Sequence, residues 1–174
     1  MKLEIYSASM DSFTKTMTWF VIILLAGTGF GSIIELTKAA GNLTTLFVQG
    51  GVLLLLIVIL LGSYLFSPRA YVLQADELII KRPARDKKIK LNDLAEVRML
   101  KEADMSWTIR TFGVGGVFGH YGKYYNSALG NFTQYATRRN HQIFIRTRQG
   151  KKIIITPDDL SLADKLQSAM LQPA

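Results

Sequence analysis

The chain of 174 residues contains no cysteine. This excludes a disulfide framework, a thiolate zinc site, an iron–sulfur centre and a thiol nucleophile. Histidine is almost as scarce: His120 and His141 stand alone, twenty-one residues apart, with no acidic residue at ligand spacing. Both read as surface or loop residues, so neither a metal nor any other cofactor is expected. Charge is also missing, but only locally. Nineteen uncharged residues run from Thr16 to Ile34, and a second uncharged stretch runs from Ala39 to Pro68, most apolar between Leu46 and Phe66.

These gaps reconcile two properties that normally oppose each other, a hydrophobic content of 49% and a net charge of +8. Residues 1–68 carry three Lys/Arg against three Asp/Glu, whereas residues 69–174 carry eighteen against ten, which is the entire excess. An N-terminal tail and apolar anchor, 1–68, are therefore joined to a basic domain, 69–174. About 20 apolar residues cross a hydrocarbon slab of roughly 30 Å, so segments 16–34 and 46–66 each suffice as a transmembrane helix. The first is unlike a signal peptide, because polar residues precede it and no small-residue cleavage site closes it. The second has no polar face for a core helix.

Cations flank the pair asymmetrically. Lys2 and Lys15 precede it, Lys38 alone interrupts it, and Arg69, Lys81, Arg82 and Arg85 follow. The positive-inside rule places both termini in the cytoplasm and the Glu35–Asn42 turn outside. Trp19 and Tyr64 suit the interfacial aromatic belt, and neither span holds an ionisable residue to carry ions or protons. Gly27, Gly29 and Gly31 in the first span and Gly50 and Gly51 in the second could let the helices approach closely, Gly27 and Gly31 at the Gly-x-x-x-Gly spacing, read here as packing within the hairpin. Asn42-Leu-Thr44 matches a glycosylation triplet but lies too near the membrane to serve as one.

Beyond Pro68 the pattern alternates. Strands are predicted at 71–74 and 77–82 around an Ala75-Asp76 turn, then at 87–91, 95–100, 131–138, 142–148 and 151–156, with a tight turn at Gln149-Gly150. With no long helix between them, they predict an antiparallel sheet or partly open barrel. One helix ends the chain, with Thr156 as N-cap, Pro157 at its first position and Asp158 and Asp159 in its capping turn. Leu160, Ala163, Leu166 and Met170 form its buried stripe. The fold class is α+β: a transmembrane helical hairpin, an antiparallel sheet and a C-terminal helix.

Three segments carry a family resemblance: Tyr71-Val-Leu-Gln-Ala-Asp-Glu-Leu-Ile-Ile, Lys90-Leu-Asn-Asp-Leu-Ala-Glu-Val, and Leu129-Gly-Asn-Phe-Thr-Gln-Tyr-Ala-Thr with the later Ile155-Thr-Pro-Asp-Asp. Over residues 69–171 the chain resembles the bacterial pleckstrin-homology (PH-like) domains. The resemblance implies a bent seven-stranded sheet plugged by the C-terminal helix, attached to a transmembrane hairpin in the bacterial inner membrane. It implies no ligand, because similar folds serve different functions.

Two segments are candidate sites. Lys81, Arg82, Arg85, Lys87, Lys88 and Lys90 place six cations in ten residues; the resemblance puts them at an early hairpin loop that holds phosphate-binding cations in eukaryotic relatives. Against anionic lipid head groups each is worth about 1 kcal/mol. A second cationic group comprises Arg138, Arg139, Arg146, Arg148, Lys151 and Lys152. The other candidate segment, Arg110–Tyr125, alternates five glycines with Phe112, Phe118, Tyr121, Tyr124 and Tyr125. It is not a dinucleotide fingerprint, since Phe118 stands at the third glycine position, nor a P-loop, since Tyr124 follows Gly122-Lys123. It reads either as a kinked core strand or as a loop touching lipid, a partner or another copy of the chain.

Nothing converges on catalysis, and Ser127 lacks a nucleophile-elbow context. The expected role is non-enzymatic: interaction with a protein or with anionic phospholipid head groups at the cytoplasmic face. The alternative is an accessory subunit of a lipid- or solute-handling membrane complex, and nucleic acid is not an expected partner.

Overall fold

The computed structural model describes residues 3–38 and 42–171. Strand β1 (Glu4–Ser7) precedes two long helices, α1 (Ser12–Lys38) and α2 (Leu43–Leu65). At 1.5 Å per residue these measure about 40 Å and about 35 Å, and both are long and apolar enough to cross a membrane. They exceed the predicted spans because their ends are capped by polar groups outside the apolar runs. Asp11 accepts a hydrogen bond from the Thr14 amide at 2.7 Å, and Asn42 accepts one from the Thr45 amide at 3.2 Å. Thus Asn42 of the glycosylation triplet is a helix cap.

The helices pack on each other, and of the five glycines named in the sequence only Gly29 lies at their contact. Gly29 faces Leu53 and Leu56, at 3.7 Å and 4.0 Å from the position of an added Cβ, while Gly27 and Gly31 meet nothing within 4 Å. Gly29 lies two positions from each, which at about 100° per residue puts it on a different side of the helix.

The remaining strands are β2 (Ala70–Leu73), β3 (Glu77–Lys81), β4 (Lys87–Lys90), β5 (Leu94–Met99), β6 (Ile109–Gly115), β7 (His120–Asn126), β8 (Gly130–Ala136), β9 (Ile143–Thr147) and β10 (Lys152–Ile155), followed by helix α3 (Ser161–Leu171). They form two sheets, ordered β1-β2-β3-β4 and β5-β9-β10-β8-β7-β6, and these do not close into a barrel. Pairing is antiparallel except between β8 and β10, which run parallel. Segment 4–7, read in the sequence as tail, pairs with β2 in the register Glu4↔Leu73 to Ser7↔Ala70. The Gln149-Gly150 turn forms as predicted, with the Gly150 amide donating to the Thr147 carbonyl at 2.8 Å.

The core lies between the sheets and α3, with Tyr71, Leu78, Ile80, Leu94, Ile145, Ile155, Leu162 and Leu166 buried. The Tyr71 hydroxyl donates to the Tyr135 carbonyl at 2.6 Å and accepts from the Thr156 amide at 3.1 Å. Burial pushes its pKa up to about 12. These bonds overturn the predicted helix start. The Thr156 hydroxyl accepts from the Thr137 amide, so Thr156 belongs to the sheet junction, and α3 begins only at Ser161, whose amide Asp159 caps at 2.9 Å. Asp158 is used differently, binding Ser9 and Arg138. The buried stripe of α3 accordingly includes Leu162.

Candidate functional site

Folding divides the basic residues into three sets. The first neutralises carboxylates. Lys81 pairs with Asp86 at 2.6 Å, Lys88 with Glu77 at 2.8 Å, Arg146 with Glu96 at 2.9 Å, and Arg138 with Asp158. These exposed pairs contribute little to stability, but they remove part of the charge that the sequence counts as available.

The second set gathers where the helices meet the sheets. The Arg69 guanidinium lies 4.6 Å from the Tyr64 ring, Arg82 lies 5.9 Å from Phe66 and 5.3 Å from Tyr135, and Arg139 lies 3.6 Å from Phe13. Phe13, Tyr64 and Phe66 are at the two helix ends that enter the domain, so three arginines cap the aromatic border of the hairpin. Each stack is worth about 0.5–1 kcal/mol where exposed. The Arg139 amide also donates to Asp11 at 3.3 Å. Burial alone would raise the Asp11 pKa, but bonds from Thr14 and Arg139 outweigh it and hold the carboxyl below its ordinary value.

The turn of the glycine/aromatic segment seals the same junction. The Phe118 amide donates to the Thr18 hydroxyl at 2.9 Å, the Phe118 ring meets Tyr64 edge-on at 5.6 Å, and Thr14 approaches the His120 ring at 3.5 Å. The Tyr121 hydroxyl donates to the Ser63 carbonyl. The segment is a glycine-kinked hairpin, β6–β7, whose tip packs on the chain's own helices. Glycine is demanded at its waist. Gly113 and Gly122 are paired across the hairpin with φ of +113° and +127°, and a Cβ on either would run into the opposite backbone.

The five aromatics divide accordingly. Tyr121 and Tyr124 are buried, and burial pushes the Tyr124 pKa up to about 12; Phe118 is half-buried in the junction. Phe112 and Tyr125 stay 75% and 45% exposed.

The third set was not legible in the sequence, because its members come from three separated stretches. Lys87 of β4, Lys123 of β7, and Lys151 and Lys152 at the start of β10 line one groove of about 510 Å³, floored by Thr133 and Tyr135 of β8. Among the described residues no carboxylate lines it. Lys152 donates to the Leu129 carbonyl, whereas the side chains of Lys87, Lys123 and Lys151 make no hydrogen bond or ion pair among the described residues. A second groove of about 400 Å³ shares Lys87 and Lys151 and adds Lys88, Lys90 and Asp93. Arg85 and Lys101 are exposed and line neither groove, whereas Arg148 sits between Thr147 and Gln149 of the second.

Among the described residues no three His, Asp or Glu side chains form a metal-holding group. His120 is packed against α1, where burial lowers its pKa, and His141 is exposed. A family model described as a bacterial PH domain matches residues 69–170, well over half of the chain. No curated protein and no solved structure matches it.

Proposed function

The chain belongs to the bacterial PH domain family, and from that premise we propose that it is a non-enzymatic domain held at the cytoplasmic face of the bacterial inner membrane by a two-helix anchor, acting by interaction rather than by chemistry. The observation that carries this reading is the placement of Arg69, Arg82 and Arg139 on Tyr64, Phe66 and Phe13 at the two helix ends. The amphipathic ring of Tyr64 suits the head-group level, and the guanidiniums beside the three rings are well placed for anionic phosphates, at about 1 kcal/mol per cation. Arg69 and Arg82, with Lys15 at the start of α1, also supply the positive-inside signal, so both termini lie in the cytoplasm.

The absence of cysteine makes the orientation directly testable. Thr44→Cys, at the start of α2, and Ser168→Cys, on the exposed side of α3, place single thiols on opposite sides of the bilayer. A membrane-impermeant maleimide applied to intact spheroplasts labels Thr44→Cys and reaches Ser168→Cys only after lysis. Labelling of Ser168→Cys from outside would overturn the reading.

A further inference from the structure

We propose that the lysine groove binds an acidic, extended peptide segment of a cytoplasmic partner, one that carries apolar side chains between its carboxylates. This deepens the interaction role proposed above and rests on its cytoplasmic orientation.

Charge gives the first argument. Among the described residues Lys87, Lys123 and Lys151 make no ion pair and no carboxylate lines their groove, Asp93 lying only in the adjoining one, while Lys81 and Lys88 nearby are paired. Folding therefore leaves uncompensated cations in this groove and spends others elsewhere. The residue type gives the second. Lysines are point charges on flexible stems and lack the rigid fork with which arginine grips a single phosphate or carboxylate. A row of them suits several spaced negative charges.

The third argument is an apolar rim. Ile109 pairs with Tyr125 and Phe112 with Lys123, and residues directly opposite in an antiparallel ladder share a face. Ile109, Phe112 and Tyr125 thus lie on the face that carries Lys123, at 63%, 75% and 45% exposure. A partner that was only acidic would leave this rim uncovered.

Position argues against a bilayer as the occupant. Between Phe118 and His120 the chain moves from Thr18 to Thr14, so the hairpin leads out of the membrane. His120 pairs with Ala136 at that end of β8, and Asn131, at the far end of the groove, is about 17 Å further along the strand. A second copy is also disfavoured, since the whole excess of positive charge lies in residues 69–174.

The test uses the full chain in detergent and a fluorescein-labelled peptide alternating Glu with Phe, against its Gln-for-Glu analogue. The acidic peptide binds, the analogue binds at least about tenfold more weakly, and Lys123→Gln/Lys151→Gln loses about tenfold in affinity. Arg85→Gln/Lys101→Gln, which removes the same charge outside both grooves, stays within about twofold. Circular dichroism and gel filtration establish that both variants fold. Phe112→Ser at the rim weakens binding while leaving its salt dependence intact. Equal binding of the two peptides, or equal loss in the two double variants, overturns the proposal. So does a lysine-variant defect confined to phosphatidylserine vesicles, which would make the groove a lipid site. Binding in detergent does not depend on orientation, so peptide binding together with external labelling of Ser168→Cys would sink the topology and spare the groove.

Discussion

The Tyr121 hydroxyl on β7 donates a hydrogen bond to the main-chain carbonyl of Ser63 in the last turn of α2. A helix leaves its last four carbonyls without intrahelical partners, and here each one is satisfied. Gly62 accepts from the Phe66 amide, Ser63 from Tyr121, Tyr64 from the Ser67 amide, and Leu65 from the Ala84 amide at 2.9 Å. Two of the four donors belong to the β domain, Tyr121 on β7 and Ala84 in the β3–β4 connection, so the second helix is closed off by the domain it anchors.

Tyr121→Phe removes one of those donors and leaves a buried carbonyl unpaired, at a cost of about 1–3 kcal/mol. The loss should be concentrated at the junction. Hydrogen exchange in detergent should show faster exchange at Phe118 and around Ser63, with the amides of β9 and β10 unchanged. Uniform protection in the variant would show that the bond is not a tie between helix and sheet.

Gly119 has φ of +143°, and an added Cβ would lie 2.6 Å from the Ala136 carbonyl oxygen. Gly119→Ala should therefore destabilise by about 2 kcal/mol or more, because the strained backbone and the clash occur together. Gly27→Ala, where nothing lies within 4 Å, should stay within about 0.5 kcal/mol. Denaturant midpoints of the two variants in the same detergent measure the contrast. A similar shift for both would place the requirement in helix association instead.

His120 faces Thr14 and lies near Asp11, Arg139 and Arg110. Burial lowers its pKa from the ordinary 6.5, with Arg139 and Arg110 acting in the same direction and Asp11 opposing them. The unfolded imidazole thus takes up a proton more readily than the folded one, so the junction is most stable above pH 6.5 and weakens as pH falls below it. Exchange at the Phe118 amide should rise between pH 7.5 and 5.5 beyond the intrinsic pH dependence of exchange, and His120→Gln should flatten that rise. A pH response that survives in the variant would assign it to another group.

Tyr6 of β1 is buried against the core, and Glu4 meets Lys165 of α3 at 2.5 Å. Tyr6→Ala should cost about 3 kcal/mol, the magnitude of an aromatic core truncation. Ile5→Ala, on the exposed face of the same strand, should cost far less. Thermal unfolding of the two variants tests this. Equal midpoints would mean that the residues ahead of α1 act as a loose tail.

Much of the domain was readable because its signals are local. Alternation, turn residues and apolar stripes predict β2–β5 and β8–β10 within one or two residues, and uncharged length predicts both long helices. The errors occur where a residue's partner is distant in sequence. Thr156 has the chemistry of an N-cap and Pro157 suits a first helical position, yet Thr156 bonds instead to Thr137 and Tyr71. Segment 4–7 is too short to announce a strand without the β2 edge beside it.

By itself, the sequence determined the division between an apolar, uncharged hairpin and a basic β-rich domain, along with the lack of thiol chemistry and the family pattern over residues 69–170. Those properties depend on composition and short-range periodicity, which no folding step can alter. Only the tertiary structure decided what the charges and aromatics do. Cations adjacent in sequence, such as Lys81, Arg82 and Lys87, part into an ion pair, an aromatic stack and a groove, while Lys87, Lys123 and Lys151 come together from separate strands. Neighbouring side chains on a strand point to opposite faces, and the two sheets bring remote faces into contact, so a linear run of charge and a binding surface need not coincide.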